Sequence, residues 1–164
     1  MIVLFYITAA VAILATLMVI TRLNAVHALL YLIVSLLAVA VIFFLLGAPF
    51  AAALEVIVYA GAIMVLFVFV IMMLNLGSRT IEQERQWLNP RIWIGPSILG
   101  VILIGELIYA FARYGGLVAN APAVGPKEVA MALYGPYVLG VELASMLLLA
   151  GLVGAYHLGR REES

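Results

Sequence analysis

Residues 54–75 read LEVIVYAGAIMVLFVFVIMMLN, a run long and apolar enough to cross a bilayer that nonetheless opens on a glutamate. Glu55 and Tyr59 are four positions apart, so on a helix they share one face. Gly61 follows between Ala60 and Ala62, where a helix accepts close neighbours or a local backbone distortion. A carboxylate in hydrocarbon costs about 3 kcal/mol even on lenient scales. Such a residue calls for a partner, a water-filled cavity or a role in proton binding.

The rest of the chain sets this stretch in a membrane. The 164 residues are 68% hydrophobic and 10% charged. Soluble domains are about 45–50% apolar and roughly 25% charged. The inventory cannot cover a water-facing surface, which makes this an integral membrane protein. A formal net charge of zero argues against nucleic acid as a partner. With no cysteine, the chain can ligate no iron–sulfur cluster and form no disulfide. Two histidines, His27 and His157, are too few for most metal sites, and both fall at span ends where interfacial histidines are common.

Five stretches reach the length of about 20 residues that a bilayer core demands. They are expected at 2–21, 27–46, 51–76, 92–114 and 136–157, within a single membrane domain over 1–164. The first is read as a retained helix, because no basic segment precedes it as in a secretory signal. The connectors at Arg22-Leu23-Asn24 and Gly47-Ala48-Pro49 are short, and longer loops are expected at 77–91 and 115–135. One side of the membrane receives Arg22, Arg79, Arg85, Arg91, Arg160 and Arg161; the other receives only Arg113 and Lys127. By the positive-inside rule the 77–91 loop and the C-terminus are cytoplasmic, and the N-terminus and the 115–135 loop are periplasmic. The 26 residues of the third span would measure roughly 39 Å as one helix, against about 30 Å of hydrocarbon. It must tilt, protrude or contain an irregularity.

All eight acidic residues are glutamates, and Glu55, Glu106 and Glu142 fall within spans whose interiors hold no lysine or arginine to pair with them; Arg113 lies near the end of its span, where it can snorkel to the interface. They must be protonated, hydrated or paired with another chain, which points to a larger complex. In the fifth span Gly140, Ala144, Gly151 and Ala155 form a small-residue stripe, and Glu142 projects from nearly the opposite side. A titratable role for Glu142 competes with a purely structural hydrogen bond. For Glu106, which follows Gly100 and Gly105, a proton site competes with a packing role for a neutral carboxyl.

Two blocks are more specific than generic apolar helix: the YAGAIMVLFVF run within 27–76, and GPYVLGVELASMLLLAGLVGAYHLGR near the C-terminus. With the IEQERQWL segment between them, they closely resemble the J-subunit family of bacterial proton-pumping NADH:quinone oxidoreductase. This enzyme is respiratory complex I, and the family's mitochondrial counterpart is NADH dehydrogenase subunit 6. The resemblance implies a non-redox subunit of a translocating oxidoreductase in the bacterial inner membrane. No cofactor is expected on this chain; FMN, iron–sulfur clusters and quinone would sit in other subunits. The implied neighbours are a small three-span subunit, the quinone-site subunit and antiporter-like subunits. It further implies an all-α fold whose third helix carries a π-bulge around Tyr59–Val65. Tyr59, Gly61 and Val65 would then form a gate on a proton path, with Glu55 beside it and Glu142 in the later VELAS block. Glu106 stands where the family pattern carries no acid.

Overall fold

The computed structural model describes residues 2–74, 90–114 and 123–159. They are helical throughout apart from short connectors, and five helices are long and apolar enough to cross a membrane. The chain is a multi-pass membrane protein of the all-α class. It divides into two compact units, Met1–Ala123 and Val124–Ser164.

In the first unit α1 spans Ile2–Thr21 and α2 spans Ala25–Leu45. The turn between them is short because Asn24 caps α2: its side chain accepts hydrogen bonds from the backbone N–H groups of Val26 and His27, at 3.0 and 3.1 Å. Buried positions on α1 are Leu4, Thr8, Val11 and Ala15, a stripe at helical spacing. That stripe meets Val34 and Ala38 of α2, and Ala15 and Ala38 are both fully buried. Two alanines at one level let the backbones approach closely, the packing mode available when lipid removes most of the hydrophobic drive. Thr16 Oγ1 and Ser35 Oγ add a hydrogen bond of 2.8 Å across the same interface.

α2 ends in glycine chemistry. Gly47 has φ 83°, its N–H donates to Phe44 O, and the Ala48 N–H reaches back to Phe43 O. This pair of bonds is a Schellman cap. Pro49 then opens the next helix, where its missing N–H costs nothing. This third helix, α3, is α-helical over Pro49–Leu54, π-helical over Glu55–Ile63, and α-helical again over Met64–Leu74. The sequence-expected span at 51–76 thus begins two residues earlier.

α4 covers Pro90–Tyr114 and also starts ahead of its expected boundary. The remainder of the expected 77–91 loop lies outside the described residues. α4 contains Pro96, which removes one backbone donor and leaves the Ile92 carbonyl without its usual partner. α2 is the hub of this unit, packed against α1, α3 and α4.

The second unit contains α5, Pro126–Leu133, and α6, Val138–Gly159. A loop was expected over 115–135, and α5 is a helix inside it. Its start signal was present: Pro126 at the first helical position, with Glu128 Oε2 accepting from the Gly125 N–H at 3.0 Å. No residue of α6 is buried within the unit.

Candidate functional site: a π-helical stretch in the third span

The π segment replaces the usual i→i−4 ladder by i→i−5 bonds, and both of its ends are visible. At the start, the Glu55 N–H still donates to Ala51 O and Ala52 O. At the end, the Met64 N–H donates to Tyr59 O, five residues back, and to Gly61 O. Residues on either side are regular α-helix, so the irregularity is confined to Glu55–Ile63. It therefore begins four residues before the expected Tyr59 and ends before Val65.

Gly61 occupies the tight point. A Cβ built on it would stand 3.2 Å from Val56 O, the carbonyl five residues earlier. Glycine removes that crowding in the one ladder where the i−5 carbonyl turns toward the helix position above it. The small flanking residues, Ala60 and Ala62, add no bulk.

The site residues read from the sequence divide among three settings. Glu55, Tyr59 and Gly61 all lie on the π segment. Within the widened turn Tyr59 lies close to one full turn beyond Glu55, so the two keep a common face. Val65 lies just past the segment and is 67% exposed, whereas its neighbour Met64 is 3% exposed. Adjacent helical residues point about 100° apart. Met64 therefore marks the inward side of α3 at this level and Val65 the outward side. Glu142 belongs to α6 in the other unit, where it is exposed. Ser145 Oγ donates to the backbone oxygen of Glu142 at 2.7 Å, leaving the carboxyl unserved by that hydroxyl.

Beside the upper part of α3 lies an apolar groove of about 440 Å³. Its walls include Phe44 of α2, Ala52 and Val56 of α3, and Gly100 and Leu107 of α4. Val56, whose carbonyl faces Gly61, thus also borders this groove.

One pairing was not anticipated. Glu106, 8% exposed, finds a partner inside the chain: its Oε2 lies 2.8 Å from Thr8 Oγ1 of α1. Charge pairing read from the sequence weighs only lysine and arginine as in-chain partners, and the partner is a neutral hydroxyl. Nothing in the local sequence signals it, since the two positions are 98 residues apart and meet only when α1 and α4 pack. Among the described residues, no group of three acidic or histidine side chains converges as a metal site would require.

Residues 15–158 match the family model for NADH-ubiquinone/plastoquinone oxidoreductase chain 6. The chain belongs to this family. It is 64% identical to NADH-quinone oxidoreductase subunit J of Pseudomonas aeruginosa, over 96% of both chains. It is 62% identical to the subunit of that name in Escherichia coli K12, over 98% of this chain and 87% of the relative. The corresponding subunit of Buchnera aphidicola from Schizaphis graminum is 50% identical, over 97% and 98% respectively. Family membership accounts for the specific block around Tyr59–Phe69, which apolar composition alone leaves unexplained.

Proposed function

We propose that this chain is a non-redox, membrane-arm subunit of a proton-translocating NADH:quinone oxidoreductase in a bacterial inner membrane. The π segment of α3 is its moving part. Electron transfer from NADH to quinone, with FMN, iron–sulfur clusters and quinone, would occur on other subunits. The neighbours are the quinone-site subunit, a small three-span subunit and antiporter-like subunits.

The observation that carries this reading is the π stretch Glu55–Ile63 between two α-helical pieces of one span. Withdrawing one residue of a bulge into regular helix rotates everything beyond it by about 100°. Met64, now inward, would give up its position to an adjacent residue, Ile63 or Val65. An apolar plug of this kind closes a path by excluding water and opens it on rotation. Glu55 and Tyr59 supply polar groups on the path, and Gly61 lowers the cost of the bulged state. Glu142 is a second carboxyl on the same route, presented toward a partner subunit. Where the π ladder returns to the α ladder one carbonyl loses its regular partner, and within a membrane such a group needs water or a polar side chain, which also favours hydration here.

The test compares structures of the intact complex at rest and during turnover, together with proton pumping by an assembled Gly61→Leu variant. The reading expects α3 to be fully α-helical in one state, and pumping to fall at least severalfold in the variant. A π segment unchanged in every state, combined with full pumping by Gly61→Leu, would leave α3 a packing element.

A further inference from the structure

The contact between α1 and α4 contains a proton-counting problem. A threonine hydroxyl carries one hydrogen. Thr8 Oγ1 lies 2.9 Å from Leu4 O and 2.8 Å from Glu106 Oε2, and Thr8 is fully buried. The Leu4 oxygen can only accept. Were Glu106 ionised, both of its oxygens could only accept as well, and one hydrogen would face two acceptors. The second carboxyl oxygen, Glu106 Oε1, is buried with no hydrogen-bond partner among the described residues. An ionised Glu106 would then hold a full charge on a single shared hydroxyl.

Among the described residues no cation relieves it. α1 and α2 are the helices packed against α4. Among side chains that titrate or carry charge, α1 offers only Tyr6, and α2 offers His27 and Tyr31. Tyr6 is exposed, and Tyr31 stacks on His27 near the other end of α2. On α4 itself the nearest charged position is Arg113, seven residues and roughly 10 Å along the axis.

We infer that Glu106 retains a proton within the membrane and donates it to Thr8, forming the chain Glu106 Oε2–H to Thr8 Oγ1–H to Leu4 O. Every hydrogen in this chain has one acceptor, and no charge is buried. The carboxyl acts as a neutral staple between α1 and α4. It adjoins the buried stripe in which Val11 and Ala15 meet Leu103. It is a holding site, because release of the proton would strand the carboxylate on one donor. This assignment is independent of any motion in α3.

The experiment uses the intact complex in membranes, with three variants. Glu106→Gln preserves the shape and can donate an N–H to Thr8, so assembly and pumping should stay within about twofold of the parent. Glu106→Leu removes the donor, and the amount of assembled complex should drop. Infrared difference spectra between the parent and Glu106→Gln should show the carbonyl band of a protonated carboxyl. Thr8→Val should move that band to higher frequency by removing its acceptor. Ionised-carboxylate bands in the difference spectrum would overturn the proposal. So would an assembled Glu106→Gln complex that has lost most of its pumping, since that outcome makes the proton mobile rather than held. A Glu106→Leu complex that assembles at the parental level would remove the staple.

Discussion

The α-carbon of Gly61 sits under the carbonyl of Val56, with room for hydrogen but a separation of only 3.2 Å for a methyl group. A spacing of five residues is the repeat of the π ladder. Alanine is the better helix former in α geometry, by about 1 kcal/mol. That difference pushes Gly61→Ala toward regular helix. The variant should assemble, because Gly61 does not support the buried contacts of the first unit, and proton pumping should fall about fivefold or more with NADH oxidation. A structure of the variant should show a shortened or absent π segment. Retention of the complete segment would assign the choice of ladder to something other than this glycine.

Gly95 of α4 makes a notch for a tyrosine. A Cβ there would overlap the Tyr31 hydroxyl and lie 3.0 Å from its Cζ, while Tyr31 is itself buried. Gly95→Ala should destabilise the α2–α4 contact by about 1–3 kcal/mol, in the range of overpacked cores. Tyr31→Phe removes the overlapping oxygen and should restore part of the loss. Thermal melting of the purified complex, read for the two single variants and the double, measures the coupling. Additive effects would mean that the two residues do not share this contact.

The fold was largely legible because hydrophobic length reports spans directly, whereas packing leaves weaker traces. Residues 2–21 were delimited at both ends by composition alone, and Asn24 and Pro49 announced the helices that follow them. α5 was missed because eight residues of mixed polarity in a Gly/Pro/Ala-rich stretch carry little periodic signal. The π stretch was legible to within one turn: the family resemblance supplied its place, but no local propensity distinguishes a ladder starting at Glu55 from one starting at Tyr59. Glu106 shows the limit most plainly. Its isolation was a fair inference from charge pairing along each span, yet its partner is a neutral hydroxyl on another helix. Thr8 gave no sign in sequence, because a threonine in an apolar helix ordinarily satisfies itself on its own backbone.

Orientation follows from the six-to-two division of basic residues between the two sides. A reporter fused after Arg85 or after Arg161 should be cytoplasmic, and one near Asn120 should be periplasmic. Paired phosphatase and fluorescence fusions read both sides in one strain. A cytoplasmic signal at Asn120 would invert the assignment and move Glu106 and Glu142 to the opposite half of the membrane.

Glu142 differs from Glu106 in kind. Glu106 is enclosed by its own chain and served by Thr8, whereas Glu142 is exposed on α6 and its carboxyl has no hydrogen-bond partner among the described residues. An exposed carboxyl on a span of this hydropathy is uncompensated if it faces lipid, so it belongs against protein or in water. Glu142→Gln keeps volume and hydrogen-bonding capacity but cannot exchange a proton. Assembly of the complex should be unchanged, and proton pumping should fall by at least about threefold if the carboxyl titrates on the route proposed above. Glu142→Ala adds the loss of the hydrogen bond and should lower both assembly and pumping. Parental pumping by the assembled glutamine variant, with impaired assembly in the alanine variant, would restrict Glu142 to holding a neighbouring helix. Measuring the two substitutions side by side, with complex abundance as the common denominator, separates a proton carrier from a polar contact.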